Sequence, residues 1–532
     1  MASALQPALA DAGDTTRPLT WSGLLLDAHR RFGSRVAVLP DETARADTPP
    51  LSYDALLAAA ARVASALAAL GADAGARIVL ALDNRPEMVV LERALALWGY
   101  VRVALSPRLH PLEIDYIAGD CDATLVICET RHAAELKCAA RVVPAEPQPG
   151  FALALPDLLD ADDAVRAMPS PAPDDVVSLM YTSGTTGRPK GAINTQRAWA
   201  TMARNVAAML PPIGEHDVLL HAAPMSHFSG SVSAAYLCGG AAIATLRRFD
   251  PAATLARARA TRATCVPLVP TMIGALVQSL GQSPEPGARP APTLRALPYG
   301  GSPIAPGTVA RARALFGPVL VQFYGMSEAL IPVTCLPADE HGPGPDEHHR
   351  LSTAGRPVPG CEVRLDAVRD GIGEMCVRGP NVSAGYWSRD GMRAALDAHG
   401  WLHTGDLASV DAAGRLRIVD RTRDVLISGG FNIYPAEVER VIAGVAGVAD
   451  VAVIGVPHER WGEAVMALIV AEPGRDVSDD AILDACRAQL AGYKKPLAIA
   501  RLDALPKTST GKTDKRRLRE RYWQDRSRQV GE

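Results

Sequence analysis

The chain is short of aromatic residues, carries no paired-cysteine signature and shows almost no excess of charge. Aromatic residues make up 5% of its 532 positions. Its nine cysteines are dispersed, with no C-x-x-C pair and no metal-ligand spacing. An odd, scattered set argues against a disulfide framework and fits a reducing compartment, the cytosol. The formal net charge of -3 removes any global electrostatic case for nucleic acid or an acidic membrane as partner. The first residues lack a basic segment followed by an apolar core, so no signal peptide is expected. The longest apolar run, residues 232–246, is too short to span a bilayer and contains Gly239-Gly240. It is expected to form a buried helix and strand. No internal repeat is found.

What is present is ample hydrophobic material, 48% of the chain, enough for a large core and more than one domain. Residues 52–70 have helical spacing, with Ser52 as N-cap and Gly71 as stop. Residues 77–82, 100–105 and 123–128 read as buried strands, and 86–98 as a helix. Strands alternating with helices predict a parallel α/β sheet. Proline-rich stretches at 144–150, 168–174 and 283–292 read as loops. Residues 337–350 hold His341, His348 and His349 beside acids, but the flanking Gly and Pro predict a mobile surface loop rather than a metal site. Near Asp420–Asp424 a new α/β pattern begins. Pro435 fits the first position of a helix, residues 448–456 and 464–471 read as strands, and 479–490 as a helix.

The most informative segment is Tyr181-Thr182-Ser183-Gly184-Thr185-Thr186-Gly187-Arg188-Pro189-Lys190-Gly191. Glycines admit backbone N–H groups close to an anion, hydroxyls add donors, and Arg188 and Lys190 add positive charge, which is what a polyphosphate needs. The segment is not the common NTPase phosphate loop, because Pro189 precedes Lys190 and Gly191 follows it. A polar glycine-rich surface turn is the plain alternative. Residues 176–180 read as a short buried strand, so the loop is expected at a strand's carboxyl end, where α/β folds place ligands.

Further motifs follow in order. Gly300-Gly301-Ser302-Pro303 comes first, then Gln322-Phe323-Tyr324-Gly325-Met326-Ser327-Glu328. Trp401-Leu402-His403-Thr404-Gly405-Asp406 and Asp420-Arg421-Thr422-Arg423-Asp424 come next. Ser428-Gly429-Gly430-Phe431-Asn432 and Pro506-Lys507-Thr508-Ser509-Thr510-Gly511-Lys512 close the series. In this set the chain resembles the adenylate-forming superfamily of acyl- and aryl-CoA synthetases, peptide-synthetase adenylation domains and beetle luciferases. The resemblance covers nearly the whole chain.

The resemblance implies an α/β fold. A large N-terminal domain of stacked α/β sheets with a β-rich subdomain, residues 1–422, would precede a small mobile α+β domain, residues 423–532, hinged at Arg423. It implies two half-reactions: a carboxylate attacks the α-phosphate of ATP to give acyl-AMP, and a thiol then displaces AMP. Mg²⁺, lysine and N–H donors would neutralise the charge that develops at phosphorus. Thr182, Ser183, Gly184, Thr185, Thr186, Gly187 and Lys190 match the loop that cradles the β- and γ-phosphates. Tyr324, with Gly325 after it, would lie along adenine, and Gly301, Ser302 and Pro303 would line its other side. Ser327 would bond a phosphate, and Glu328 would ligate Mg²⁺. Asp406 and Arg421 would hold the ribose. Lys512 matches the catalytic lysine that bridges carboxylate and α-phosphate. Arg423 stands where Lys or Asp is usual. Gly429 and Gly430 would wall the pantetheine tunnel of coenzyme A. Lys494 and Lys495 could meet the phosphates of coenzyme A or be surface charge.

His227 matches the aromatic gate of the acyl pocket. Peptide-synthetase domains that take amino acids carry Asp where this chain has Ser229, so an ammonium-bearing substrate is not expected. Residues 231–235 and Ala329, Leu330, Ile331 and Pro332 would build an apolar slot. No basic residue stands out to grip a second carboxylate, which disfavours dicarboxylates. The expectation is a cytoplasmic ligase of fatty-acid metabolism that uses ATP, Mg²⁺ and coenzyme A on a fatty or aryl acid, as monomer or homodimer. Rival readings are an acyl-AMP ligase loading an acyl carrier protein, a phosphate-binding ATPase or kinase, and a catalytically silent scaffold.

Overall fold

A computed structural model describes residues 19–45, 47–161, 167–182, 189–281, 289–344, 346–389, 391–428, 431–458, 461–508 and 512–523. The chain divides into two compact units. The first comprises residues 1–363 and 377–402, the second residues 364–376 and 403–532.

The first unit is built on an eight-stranded sheet. Its strands run in the order Arg393–Ala394, Gly385–Tyr386, Lys190–Thr195, Val176–Thr182, Val101–Ala104, Arg77–Ala81, Leu125–Cys128 and Arg141–Pro144. The last five are parallel. The inner ones are buried and mostly apolar, with Arg102 and Ser178 as buried polar exceptions. Two four-stranded sheets complete the unit. One orders Leu51–Ser52, Val36–Val38, Ala242–Thr245 and Val218–His221; the other orders Leu297–Gly300, Leu320–Met326, Ala329–Leu336 and Arg356–Pro357.

Local signals account for the covering helices. Ser52 accepts a hydrogen bond from the Ala55 N–H and starts the helix Tyr53–Ala69. Gly71 has φ +90° just beyond its end. Pro86 opens the helix Pro86–Leu97. The apolar run at 232–246 divides as expected into the helix Phe228–Cys238 and the strand Ala242–Thr245. Among the described residues, no helix is long and apolar enough to cross a membrane.

The segment 337–350 departs from its expected surface loop. A short 3₁₀ turn, Ala338–His341, and a helical turn, Glu347–Arg350, occupy it. His341 is fully buried. Its Nε2 lies 2.9 Å from the Tyr299 hydroxyl and its Nδ1 lies 2.8 Å from the Pro337 carbonyl. Burial lowers its pKa to about 4, so the ring is neutral and serves the core. The flanking glycines and prolines hid a histidine that packs edge-on against Tyr299 at 5.7 Å.

The second unit has two sheets. One orders Glu362–Arg369, Ile372–Arg378, Leu402–Val410 and Leu416–Arg421. The other joins Phe431–Ile433, Leu426–Ser428, Gly462–Ala471, Val448–His458 and Ala498–Arg501. The helices Pro435–Ala443 and Asp479–Gln489 close a core of Leu426, Ile433, Val438, Ile442, Val453 and Ile469. Pro435 stands in the opening turn of its helix as expected.

Candidate functional site

In the first unit, strand pairing places the two ends of the expected phosphate loop. Val176–Thr182 and Lys190–Thr195 form an antiparallel pair in which Thr182 faces Lys190. The loop between them thus springs from the carboxyl end of a strand whose other edge pairs with Val101–Ala104. Ser183, Gly184, Thr185, Thr186 and Gly187 lie outside the described residues, as does the side chain of Thr182. Lys190 is half-buried, with Nζ 5.6 Å from the centroid of the Tyr386 ring.

Tyr324, Ser327 and Glu328 owe their positions to a tight hairpin. Leu320–Met326 and Ala329–Leu336 pair antiparallel, with Met326 opposite Ala329, so Ser327 and Glu328 form its tip. The register shifts between Tyr324 and Met326, leaving Gly325 as the irregular residue. A Cβ on Gly325 would come within 2.8 Å of Ile331 Cγ2 and 2.9 Å of the Ala329 carbonyl. The Tyr386 hydroxyl donates to Glu328 Oε1 at 3.0 Å. Burial, and then the Glu328 carboxylate, push the Tyr386 pKa up, keeping its proton in place as a donor. Beneath the tip, Asn194 Nδ2 donates to the Ser327 carbonyl at 3.2 Å.

Lys190, Tyr386 and Glu328 therefore form one row, a cation at 5.6 Å from a ring whose hydroxyl meets a carboxylate. Sequence reading missed Tyr386. The signal was its place in Gly385–Tyr386, a two-residue strand paired with Lys190–Thr195 through Ala192 and Ile193.

Gly300 ends the strand Leu297–Gly300, and a Cβ there would fall 2.2 Å from the Phe323 carbonyl and 3.0 Å from the Phe228 ring. Gly301 follows at φ +88°, a conformation that favours glycine. Ser302 and Pro303 continue the turn. This close approach and left-handed backbone leave a wall without side chains next to the strand that carries Tyr324, which suits a flat base.

His227 stands just before the helix Phe228–Cys238, and its Nδ1 lies 2.7 Å from Ser226 Oγ. Ser229 is fully buried, 2.7 Å from His221 Nδ1. Burial lowers the His221 pKa to about 3, so this pair is neutral. Ser229 is thus held by a histidine from the strand Val218–His221, a partner no local pattern announced. Val232, Ala234, Ala235, Ala329, Leu330 and Ile331 are all buried.

In the second unit, Asp406 and Arg421 are register partners on adjacent antiparallel strands. Arg421 Nε lies 2.7 Å from Asp406 Oδ1, and the Asp406 side chain is 4% exposed. Glu374 holds the approach to Asp406: its Oε1 accepts the Gly405 N–H at 3.0 Å and its Oε2 lies 3.1 Å from His403 Nδ1. Sequence reading missed Glu374 as well.

Lys512 is exposed on a turn. Its N–H donates to Thr508 Oγ1 at 3.2 Å, and its carbonyl accepts the Thr508 N–H at 2.7 Å. Three residues on, Lys515 is half-buried, with Nζ 2.8 Å from Glu439 Oε1. Burial pulls the Lys515 pKa down, but Glu439, Asp420 and Asp424 outweigh it and leave it raised. Arg519 Nη2 binds Asp424 Oδ1 at 2.6 Å, and Asp420 Oδ2 accepts the Ala436 N–H at 2.9 Å. Lys494, offered for coenzyme A phosphates or surface charge, binds Glu437 at 2.7 Å with its side chain 18% exposed. Gly429 and Gly430 lie outside the described residues, as does the side chain of Arg423.

The donor sets fit the groups expected of them. Glu328 is a hard oxygen ligand, suited to Mg²⁺. Asp406 presents a carboxylate already aligned by a guanidinium, suited to a diol.

Comparison with known proteins agrees. The AMP-binding enzyme family matches residues 30–387, and the AMP-binding enzyme C-terminal domain matches residues 437–512. The chain is 34% identical over 495 residues to a medium/long-chain-fatty-acid–CoA ligase of Mycobacterium tuberculosis, covering 88% of this chain and 85% of that protein. It is 36% identical over 502 residues to a feruloyl-CoA synthase of an Amycolatopsis species, covering 92% and 97%. The structure of ATP-bound MatB from Rhodopseudomonas palustris superposes with a TM-score of 0.81 at 30% identity, covering 95% of this chain and 99% of that one. The chain belongs to the AMP-binding enzyme family, within the adenylate-forming superfamily, and is an AMP-forming acid–thiol ligase.

Proposed function

We propose that the protein activates an apolar carboxylic acid, fatty or aryl, to acyl-AMP with ATP and then forms its thioester with coenzyme A. The observation that carries this reading is the row Lys190–Tyr386–Glu328 at the mouth of the phosphate loop. It sets a cation for the phosphates of ATP beside an oriented carboxylate for the metal. Mg²⁺ held by Glu328 would neutralise charge on the phosphates. Lys190 and the loop residues 182–187 would bind the β- and γ-phosphates, and Ser327 a phosphate oxygen. Tyr324, Gly325, Gly301, Ser302 and Pro303 would bound the adenine, while Asp406 and Arg421 would take the ribose.

Lys512 would bring its ammonium to the substrate carboxylate and the α-phosphate, offsetting the charge that builds at phosphorus. Its exposure on a turn supports a group that comes and goes. In the same reading residues 1–422 and 423–532 are the two domains, with Arg423 as hinge, and Gly429 and Gly430 wall the thiol's path. His227 would gate a slot built from the buried small residues of the helix Phe228–Cys238 and from Ala329–Ile331. Those residues are small and largely apolar, which supports a hydrocarbon or aromatic body.

The test is a panel of carboxylates incubated with ATP, with and without coenzyme A. The expected products are AMP and pyrophosphate, and a thioester only with the thiol. ADP release would favour a kinase or ATPase, and acid-dependent AMP formation without thioester would favour an acyl carrier protein as acceptor.

A further inference from the structure

Behind the segment that carries His227 lies a cavity lined by Trp21, Leu25, Val89, Trp199 and Leu237, and by three charged side chains, Glu92, Arg93 and Arg102. These five, among its apolar lining residues, come from four helices: Trp21–Phe32, Pro86–Leu97, Gln196–Met209 and Phe228–Cys238. Arg102 rises from the strand Val101–Ala104 of the eight-stranded sheet.

The two guanidiniums are in different states. Arg102 is neutralised: its Nε lies 2.8 Å and its Nη2 2.6 Å from Glu92 Oε1, and it stacks 5.4 Å from the Trp199 centroid. Arg93 is not. It is 4% exposed, and among the described residues no ion pair involves it. Its Nη1 donates to the Leu25 carbonyl at 3.3 Å, its guanidinium carbon lies 6.0 Å from the Tyr53 centroid, and its Nη2 is buried with no hydrogen-bond partner. Burial lowers its pKa, and the groups acting on its charge are Tyr53 and Cys238 rather than any carboxylate. A guanidinium in apolar surroundings with an unmet donor is costly, and the natural remedy is an oxygen acceptor.

One wall of the cavity touches the backbone beside His227. Arg102 Nη2 donates to the Met225 carbonyl at 3.3 Å, two residues before His227. The wall that holds Arg102 thus contacts the backbone that carries the gate, and Leu237 lies on the helix that His227 introduces.

We propose that this cavity receives the far end of the acid and that Arg93 selects acids bearing an oxygen acceptor there, a carbonyl or a second carboxylate, on an apolar body. The inference rests on the ligase reading and narrows its substrate class. It runs against the expectation that no basic residue stands out to grip a second carboxylate. Arg93 sits in an apolar helix pattern and Arg102 in a strand, and nothing local marks either as buried.

The test compares matched acids of one medium length: unsubstituted, with a terminal keto group, and with a terminal carboxylate. Pyrophosphate exchange gives kcat/KM for each, and calorimetric titration gives their affinities for the wild-type chain. At least one acceptor-bearing acid is expected to exceed its plain counterpart by about 10- to 100-fold, since a site with a buried donor discriminates against a ligand that leaves it unmet. Arg93→Met is expected to bring that ratio to about one, and Arg93→Lys to restore part of it. The ratio is insensitive to partial misfolding, because both acids meet the same sample. Equal use and equal binding of all three acids by the wild-type chain would overturn the proposal, as would an unchanged ratio in Arg93→Met. Selective binding without pyrophosphate exchange for any acid would instead sink the ligase reading and leave the cavity's preference standing.

Discussion

The two units support their reactive groups in opposite ways. In the first, the elements that carry the site rest on neutral buried pairs. His341 meets Tyr299 on the strand leading to Gly301, and His221 meets Ser229 on the helix Phe228–Cys238. In the second, the turn that bears Lys512 is followed by largely buried charge: Lys515 against Glu439, Asp420 and Asp424, with Arg519 on Asp424. Neutral pairs are cheap to bury and hold a fixed surface. A largely buried ionic set is costly to desolvate, but each member demands its partners, so it fixes one arrangement of the strand end at Asp420, the helix Pro435–Ala443 and the terminal helix.

The largest expected effect breaks the ionic side. Lys515→Met removes the cation that faces Glu439 and Asp420, and stability of the second unit is expected to fall by about 3–5 kcal/mol. Denaturant unfolding followed at Trp461 or Trp523, both in the second unit, would show it. An unchanged midpoint would mean that the charges are satisfied elsewhere.

Close behind comes Lys512→Ala, expected to cut adenylation by roughly 10² to 10³. Reaction of preformed acyl-AMP with the thiol should continue. Wild-type pyrophosphate exchange in this variant would remove Lys512 from the mechanism.

Acid separates the two kinds of support. His341 is held neutral, its pKa down at about 4 from an ordinary 6.5. The folded state therefore binds this proton less readily than the unfolded chain. The stability it contributes is complete above 6.5 and is lost as pH falls towards 4, by about 1.4 kcal/mol per unit within that window. Lys515 has the opposite sign, since its raised pKa keeps its contribution in full below the ordinary lysine value. His341→Gln should flatten the acid limb of an unfolding-against-pH curve, and an unaltered limb would place its cause elsewhere.

The smallest effect sharpens the row in the first unit. Tyr386→Phe deletes the donor to Glu328 and is expected to lower kcat/KM about tenfold, with a raised Mg²⁺ requirement. A loss that excess Mg²⁺ does not relieve would detach Tyr386 from the metal ligand.

These contrasts also show how far the amino-acid order could be read. The helix Tyr53–Ala69, the strands around Arg77–Ala81, and the start at Pro435 were legible because caps, periodicity and prolines act within a few residues. The strand Val176–Thr182 was legible for the same reason. Tyr386 was not, because it meets Glu328 only through strand pairing across 58 positions. His341 was misjudged because the residues beside it resemble a loop while its partner Tyr299 lies 42 positions away. Arg93 and Arg102 were passed over because a charged residue in an apolar pattern is ordinarily solvated, and only packing reveals otherwise.

Glu374 has a practical consequence. One carboxylate secures the Gly405 N–H and the His403 ring, on either side of Thr404, from a neighbouring strand about thirty positions earlier. Anyone transplanting the Asp406 strand into a designed scaffold would have to carry both strands and their spacing, because the short stretch ending at Asp406 does not hold its own shape.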